Sequence, residues 1–374
     1  MIQNQDIADS NKEQTPKTVV VGMSGGVDSS VAALLLKQQG YRVIGLFMKN
    51  WEETSPDGTC TAAKDYDDVA WTCAKLDIPF YGVNFVDEYR ESVFQRFIGE
   101  YKKGRTPNPD ILCNREIKFK VFFEKAMSLG ADYLATGHYC QTDGKRVIKS
   151  VDQNKDQSYF LSGIDGKVLK NVLFPIGDKT KNQIRKIAQE NNLPTKDKKD
   201  STGICFIGER KFRPFLKQYV QSEPGDFCRL DGSVVGRHHG CSYYTLGQRK
   251  QLGLGGPGDR WYVVKKEAKK NIVFVERGDH AQLYCKELEL TDPSWITEKP
   301  SFPLRCMAKI RYRQEDQSCQ IVDIGTGQLR VFFEKPQRAA APGQVIAFYQ
   351  DEQCLGCAVI DSLGPSEWEK NNRS

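Results

Sequence analysis

The chain lacks a long hydrophobic run. No segment of its 374 residues approaches the ~18 to 20 consecutive apolar residues that a helix needs to cross a bilayer. The first residues, MIQNQDIADSNKEQTPK, are polar and carry both charge signs, so we expect neither a secretory signal nor a transit peptide. These absences exclude a helical membrane protein, and they predict a cytoplasmic chain that has no membrane partner.

Low-complexity tracts and internal repeats are also missing. With 39% hydrophobic and 27% charged residues, the composition is that of a globular protein of two to three domains. The 12 cysteines are too widely spread for a small disulfide-stapled fold, so most should be inert, buried thiols. The net charge of +6 permits an anionic partner but does not require one.

Strands and helices alternate over the first 140 residues. Strands are predicted at residues 18–23, 42–48, 80–86 and 132–136, and helices at residues 27–39, 65–76, 88–101 and 117–129. This order predicts an α/β domain with a Rossmann-like parallel sheet covered by helices on both faces. Ligands bind such sheets beyond the carboxyl ends of the strands.

The later part of the sequence differs from the first in composition and in hydrophobic pattern. Glycines cluster between short apolar runs from about residue 211, which favours a small, mainly β module, and strongly alternating segments further on favour a C-terminal β-barrel. The predicted divisions are a flexible tail (residues 1–16), the α/β domain (residues 17–210), the central module (residues 211–280), the barrel (residues 281–363) and a second tail (residues 364–374).

A glycine-rich segment, GMSGGVDSS, lies between the first strand and the first helix. Small residues let backbone N–H groups converge there, and the helix start adds its own N–H groups and positive dipole end. The Walker A ending Gly-Lys-Ser/Thr and the pattern G-x-G-x-x-G are both absent. A bare Gly-Gly would favour a plain turn, but the whole string favours a phosphate socket.

Two segments place a cysteine among basic residues. In GRTPNPDILCN, Cys113 is near a predicted helix start beside Arg115 and Lys118, which favours the thiolate, and Asp110 is three residues earlier. In KKDSTGICFIG, Cys205 follows two lysines. Cys113 alone is equally compatible with a buried hydrophobe, and an isolated GICFIG around Cys205 would most often be a strand that enters a core. Together they predict a pair of thiols able to form a disulfide during turnover.

The loop SGGVDS resembles the pyrophosphate-binding loop (PP-loop) of the ATP pyrophosphatases, which cleave ATP between its α and β phosphates. The wider sequence resembles the tRNA-specific 2-thiouridylase family from Val20 nearly to Gln314. Ten segments carry this resemblance: GMSGGVDSS, FMKNWEE, GRTPNPDILCN, IKFK, LATGHY, KDQSYFL, KKDSTGICFIGERKF, YTLGQRKQLG, WYVV and RYRQ.

The resemblance implies an ATP-dependent sulfurtransferase that replaces the C2 oxygen of the tRNA wobble uridine with sulfur. It implies Cys205 as the persulfide carrier, Cys113 as the nucleophile and Asp110 as the general acid/base. The order of the two sulfur steps stays open: persulfide attack or release of hydrosulfide. Further expected participants are Mg²⁺ with ATP, a sulfur-donor protein, and a reductant for the Cys113–Cys205 disulfide.

The resemblance also implies two sets of binding residues. The nucleotide set is Gly22, Met23, Ser24, Gly25, Gly26, Val27, Asp28, Ser29, Met48 and Gly137. The RNA set is Asn108, Pro109, Asp110, His138, Lys155, Asp156, Gln157, Arg311, Tyr312 and Gln344. Charge supports an RNA partner, because the stretch from residue 179 to 199 holds seven basic and two acidic residues.

Several alternatives remain at this stage. The loop is also compatible with a synthetase that forms a C–N bond, or with an ATP-sensing module that binds RNA without catalysis. Cys60 and Cys73 would hold an iron–sulfur cluster together with Cys113 only if the sulfur chemistry depended on such a cluster, as it does in some RNA thiolases. The pair Cys354 and Cys357 is expected on opposite faces of a strand rather than on zinc, and His238-His239 is expected at the surface.

Overall fold

The computed structural model describes residues 15–51, 61–200 and 212–372, with only the backbone of 61 and 62. Cys60 and Cys205 lie outside the described residues. The first domain contains seven described strands, β1 to β7: Thr18–Met23, Arg42–Lys49, Phe80–Asn84, Tyr133–Thr136, Cys140–Thr142, Val147–Lys149 and Val172–Leu173. Its described α-helices, α1 to α8, are Val27–Gln38, Thr61–Leu76, Val86–Tyr89, Gln95–Lys102, Pro109–Leu112, Phe122–Ser128, Ser158–Leu161 and Lys181–Glu190.

In the described part of this domain, five strands form a parallel sheet in the order β3-β2-β1-β4-β7. The predicted Rossmann-like sheet is therefore confirmed. Strand β7 was not predicted, because its two residues are too few to give a periodic signal. Strand β3 ends before the predicted residue 86, since Val86 already begins α3.

Alternate side chains of the sheet enter two separate cores. Val19 and Val21 of β1 pack on one face with α1 and α2, whereas Val20 packs on the other face with the helices of residues 86–128. Both faces are buried, as a parallel sheet requires. The carboxyl ends of the strands are thereby left as the accessible edge of the domain.

Two π-helical segments widen the helices on the second face. Arg90–Phe94 joins α3 to α4, and Cys113–Val121 joins α5 to α6. Within the latter, Phe119 departs from helical geometry at φ −100° and ψ 18°. Such wide turns occur mostly as local insertions and often at functional sites. The predicted helix 117–129 thus begins earlier, at Pro109.

The central module begins with helix α9 (Phe212–Lys217). Four strands follow, β8 to β11: Gly225–Cys228, Val234–His238, Trp261–Glu267 and Ile272–Arg277. They form one sheet in the order β10-β11-β8-β9. His238 is buried rather than at the surface, because its Nε2 lies 3.1 Å from the carbonyl of Asn271 and its Nδ1 accepts from the N–H of Gly240. The expectation of a surface histidine pair was wrong for His238.

The last region is a closed six-stranded barrel, followed by helix α10 (Glu367–Asn371). Its strands, β12 to β17, are Tyr284–Trp295, Leu304–Lys309, Gln317–Gly325, Gln328–Arg338, Val345–Gln350 and Gln353–Leu363. The order β12-β15-β14-β13-β16-β17 closes through pairing of β12 with β17. The predicted barrel is confirmed, and a closed sheet leaves none of its six strands as a free edge.

Strand pairing ties the barrel to the first domain. The start of β17 pairs with β6, through Gln353 with Ile148 and Cys354 with Val147. The hairpin β5-β6 therefore extends the barrel sheet. Among the described residues, no helix combines the length and apolar character needed to span a membrane.

A nearly buried charge cluster lies where β6 meets the barrel. The ammonium of Lys149 is 2.5 Å from Asp316 and 4.9 Å from the ring centre of Tyr349. The ammonium of Lys309 is 3.4 Å from Asp316 and 3.9 Å from Asp156. Two lysines from different domains therefore share one aspartate, which makes Asp316 central to this contact.

We expect Asp316→Ala to destabilise the protein by about 3–5 kcal/mol, because it leaves two buried ammonium groups short of a carboxylate. The matched control is Asp323→Ala in the same barrel, which breaks an exposed pair with Lys299 and should cost less than about 1 kcal/mol. Urea unfolding followed by circular dichroism measures both. Equal losses for the two variants would contradict the importance of the buried cluster.

Candidate nucleotide and RNA site

The carboxyl ends of three neighbouring strands bring the predicted nucleotide residues together. Met23 of β1 pairs with Phe47 of β2, so Ser24 and Met48 follow at the same level. On the other side, Gly22 pairs with Thr136 of β4, which places Gly137 next to the same loop. Met48, the loop of residues 22–29 and Gly137 therefore lie along one edge of the sheet, as predicted for this fold.

The loop of residues 22–29 has the backbone form of an anion socket. Gly25 has a φ of +73°, and Gly26 is the N-cap of α1 without a side-chain cap hydrogen bond. The hydroxyls of Ser29 and Ser30 donate to the carbonyl of Gly26 at 3.1 and 2.9 Å, which holds the turn in shape. The first N–H groups of a helix have no intrahelical acceptor, so they are available to phosphate oxygens.

Gly137 makes the closest approach to this socket. A Cβ on Gly137 would lie 2.6 Å from the backbone nitrogen of Ser29 and 2.8 Å from the carbonyl carbon of Asp28. Both are backbone atoms in the first turn of α1, so they cannot rotate away. Only glycine lets the end of β4 approach the helix start this closely.

The carboxylate of Asp28 lies in the first turn of α1, and both of its oxygens accept hydrogen bonds. One of its oxygens accepts from the hydroxyl of Tyr139 at 2.8 Å, and both accept from the ammonium of Lys181 at 2.8 and 2.9 Å. The same ammonium lies 2.7 Å from Asp200. The sequence identified Lys181 only as one of seven basic residues in a stripe, and it gave Tyr139 no role.

The segment before Cys113 is a capped helix start. The side chain of Asn108 accepts from the N–H groups of Asp110 and Ile111 at 3.2 and 3.4 Å, and Pro109 occupies the first helical position. Cys113 is buried at 2% exposure in the core of the second sheet face. The predicted position of Cys113 close to a helix start agrees with the structure, whereas its partnership with Cys205 lies outside the described residues.

Asp110 and His138 share the electrostatic influence of Lys118. Burial raises the pKa of the Asp110 carboxyl, and the positive charge of Lys118 opposes that rise. Burial and Lys118 both hold the pKa of His138 well below its usual value. The ring of His138 packs against the rings of Phe119 and Phe174, and its Nδ1 is 2.8 Å from the hydroxyl oxygen of Thr136. His138 is therefore a neutral imidazole near neutral pH.

The predicted RNA residues of the barrel fall into two groups. Arg311 is exposed, and Tyr312 packs on Phe160 of the first domain with ring centres 4.5 Å apart. Tyr312 therefore lies at the junction with the first domain. Gln344 instead donates to the backbone carbonyls of Thr106 and Pro107 at 2.8 and 3.3 Å, directly before Asn108.

The segment of residues 155–157 is largely occupied by internal contacts. Asp156 is 4% exposed, and its carboxylate accepts from the N–H groups of Ser150 and Ser158. The side chain of Gln157 accepts from the N–H of Tyr139 at 2.9 Å. The described structure therefore places Asp156 inside the fold, where these hydrogen bonds satisfy its carboxylate, and this geometry does not favour the predicted contact of its side chain with RNA.

Three of the seven basic residues between residues 179 and 199 are paired with carboxylates of other segments of the same domain. Lys181 and Arg185 contact Asp200, and Lys198 contacts Asp65 and Asp68 at 2.8 and 2.5 Å. These cations face carboxylates of their own domain rather than solvent. A count of charges along the sequence therefore overstated the surface that this stripe offers to RNA.

Cys73, Cys354 and Cys357 are all buried. Cys73 packs on the opposite face of the sheet from Cys113, and the described residues contain no group of three or more His, Cys, Asp or Glu side chains suited to a metal. Cys354 and Cys357 both enter the core that includes Cys113, because a β-bulge at this point of β17 shifts the alternation. The expectation of opposite faces was wrong.

Magnesium fits the described side chains poorly. Its expected contact was Asp28, whose two oxygens accept hydrogen bonds from Lys181. An oxygen ligand set for Mg²⁺ needs carboxylates that are open to the ion. We therefore derive no step through a protein-held metal ion.

Three family models match the chain in succession. They are described as a tRNA methyl transferase HUP domain over residues 17–209, a tRNA methyl transferase PRC-barrel domain over residues 213–277, and an aminomethyltransferase beta-barrel domain over residues 285–360. The second match identifies the central module as PRC-barrel-like, which the sequence had predicted only as mainly β.

Two relatives match nearly the full length of the chain. The tRNA-specific 2-thiouridylase MnmA of Protochlamydia amoebophila is 58% identical over 360 residues, covering 95% of this chain and 96% of the relative. The enzyme of the same name from Bacillus subtilis is 54% identical over 352 residues, covering 92% and 95%. Among solved structures, the U34-tRNA thiolase NcsA from Methanococcus maripaludis is similar at 18% identity and a TM-score of 0.35, covering 55% of this chain and 65% of that chain.

The close approach of Gly137 predicts a steric penalty. We expect Gly137→Ala to cost about 1–3 kcal/mol of stability, because the new methyl group meets backbone atoms of α1. Gly99→Ala is the matched control, since Gly99 lies in α4 with no atom within 4 Å of an added Cβ. Thermal unfolding compares the two. Similar melting temperatures for both variants would contradict the close approach.

The neutral state of His138 predicts a pH dependence of stability. Because its pKa is lowered on folding, the unfolded chain binds the proton more readily as the pH falls below about 6.5, and stability falls with it. His138→Asn should therefore lose less stability than the wild type between pH 7.5 and 5.5 in urea titrations. The exposed His239→Asn variant should follow the wild type. Parallel behaviour of all three would refute this assignment.

Proposed function

The chain belongs to the tRNA-specific 2-thiouridylase family, and from that premise we propose that it converts the wobble uridine of tRNA to 2-thiouridine with ATP and a persulfide. The observation that carries this proposal is spatial. One edge of the parallel sheet bears the phosphate socket, and His138 follows Gly137 at the end of β4 on that edge. Lys118 acts electrostatically on both His138 and Asp110, which links this edge to the Cys113 helix.

The first step of the proposal activates an inert oxygen. The C2 oxygen of uridine attacks the α-phosphorus of ATP, and the bond to the β-phosphate breaks, so that pyrophosphate leaves. The backbone N–H groups around Gly26 and the first turn of α1 are suited to hold that pyrophosphate. The oxygen now carries AMP, which turns a poor leaving group into a good one.

The second step delivers sulfur. The terminal sulfur of a persulfide on Cys205 bonds to C2, and AMP departs with the original oxygen. Attack of the Cys113 thiolate on the sulfur of Cys205 breaks the S–S bond and leaves a Cys113–Cys205 disulfide. If Cys113 attacks first, it releases hydrosulfide, which then bonds to C2. Either route requires two electrons from a dithiol reductant to restore both thiols.

Asp110 is the proposed proton donor and acceptor. Its carboxyl has a raised pKa because it is buried, which brings proton exchange closer to neutral pH. It stands one turn of helix before Cys113, so a proton can pass between the thiol and this carboxyl. Asn108, Pro109 and Asp110 are the proposed contacts to the extruded base, with Arg311 and Tyr312 on the RNA backbone.

The remaining assignments are part of the same proposal. Met48 and Gly137 border the adenosine, since they follow β2 and β4 beside the loop. Lys155 is a proposed RNA contact, although its ammonium lies 2.6 Å from Asp200 here. A sulfur-donor protein and a reductant are the proposed partners, and the cytoplasm is the proposed compartment.

Reconstitution tests the proposal directly. Purified protein is incubated with ATP, a persulfide donor and unmodified tRNA, and the digested nucleosides are weighed by mass spectrometry. We expect 2-thiouridine, AMP and pyrophosphate in equal amounts. A product with nitrogen at C2 would identify a synthetase instead, and tRNA binding without AMP release would identify a non-catalytic RNA-binding module.

Serine variants of the two cysteines test the sulfur route. We expect Cys113→Ser and Cys205→Ser each to lower 2-thiouridine formation at least 10³-fold, because each removes a thiol that the proposed chemistry consumes. Cys306→Ser is the control, since Cys306 lies in β13 of the barrel. Normal activity in either Cys113→Ser or Cys205→Ser would overturn the two-thiol route.

A further inference from the structure

Lys181 is a charged side chain at the socket to which the proposed chemistry gives no role. Its side chain is only 14% exposed, and its ammonium lies 2.8 and 2.9 Å from the oxygens of Asp28, in the first turn of α1. The ammonium also lies 5.7 Å from the ring centre of Tyr139. An ammonium group is therefore held at the helix end where the phosphates are proposed to bind.

Hydrogen bonds anchor the backbone of Lys181 at the start of α8. It is the first residue of α8, whose N-terminus is closed by a capping box between Thr180 and Gln183. The backbone N–H of Lys181 donates to Asp152 at 2.8 Å. Because the start of the helix is anchored in this way, the side chain reaches the socket from a fixed point.

Asp200 keeps other cationic partners if the ammonium of Lys181 moves away from it. Its carboxylate also contacts Lys155 at 2.6 Å and Arg185 at 2.9 Å. Burial alone would raise the pKa of Asp200, but Lys155 and Lys181 outweigh it and lower the pKa to about 2. Lys155 and Arg185 remain as partners if the ammonium of Lys181 turns towards a ligand.

The charges around Lys181 are balanced. The carboxylates of Asp28, Asp152 and Asp200 are matched in number by the cations of Lys155, Lys181 and Arg185. A polyphosphate placed beside Asp28 would meet a carboxylate unless a cation stands between them. Lys181 is the cation in that position.

We propose that Lys181 is a nucleotide-positioning residue: its ammonium contacts the polyphosphate of ATP at the start of α1 and then holds the departing pyrophosphate. This inference rests on the proposed function, because it assigns the socket to ATP. In the exchange, the ammonium gives up its contact with Asp200 and one of its two contacts with Asp28, and the hydroxyl of Tyr139 continues to donate to the carboxylate of Asp28.

The test compares Lys181→Met with Lys181→Arg. We expect Lys181→Met to weaken binding of ATP and of inorganic pyrophosphate at least about tenfold in equilibrium dialysis, since a charge-assisted contact is lost. Lys181→Arg should recover part of that loss because it restores the positive charge. The affinity for unmodified tRNA should stay unchanged in both. Lys125→Met, which removes an exposed lysine of α6, should leave every one of these affinities unchanged.

A double variant separates phosphate binding from simple neutralisation of Asp28. If Lys181 only balances Asp28, then Lys181→Met with Asp28→Asn should bind ATP as tightly as Asp28→Asn alone, and the inference falls. If Lys181 contacts phosphate, the double variant should bind ATP at least about tenfold more weakly than Asp28→Asn. Unchanged ATP binding in Lys181→Met would overturn the inference as well.

The proposed function and this inference fail in different ways. If the wild type binds ATP and forms 2-thiouridine while Lys181→Met does so with the same KM for ATP, only the role of Lys181 is refuted. If the wild type makes no 2-thiouridine with a competent persulfide donor, the proposed function fails, whatever the variant does. A rise in KM for ATP with little change in kcat supports the positioning role.

Discussion

The loop that leads to Cys113 is held in place by the two other domains. Within residues 104–107, the N–H of Thr106 donates to the carbonyl of Pro342 at 2.9 Å, and Gln344 donates back to Thr106. From the central module, the ammonium of Lys266 donates to the carbonyl of Gly104 at 2.7 Å. The first domain therefore does not determine the position of its own helix α5 alone.

Arg105 adds an ionic contact to this loop. Its guanidinium contacts Asp361 and Glu100 at 2.6 Å each and donates to the carbonyl of Ile360 at 3.0 Å. These bonds join α4, the loop and the last barrel strand. Because Asn108 caps α5 directly after this segment, a shift of the barrel would move the start of the helix that carries Asp110. The barrel therefore helps to position α5, which carries the proposed proton-transfer residue Asp110.

The sequence predicted what depends on local pattern. The β-branched run of β1, the glycine-rich turn and the start of α1 at Val27 follow from neighbouring residues, and the family resemblance read from the same segments is confirmed. The two-residue β7, the bulge that turns Cys357 inward and the internal use of Gln344 depend on contacts between distant segments. Such contacts leave no periodic trace in the sequence. The pairing of Cys113 with Cys205 stays a prediction.

Burial and one lysine set the protonation of the site before any substrate arrives. Desolvation favours the neutral forms of both Asp110 and His138, and the positive charge of Lys118 strengthens that preference for the imidazole while opposing it for the carboxyl. The imidazole is therefore held in its neutral form, whereas the two influences on the pKa of the carboxyl oppose each other. Of the two groups, only Asp110 stands on the helix of Cys113. Burial and position together favour Asp110 over His138 for the proposed proton transfer, and neither alone would do so.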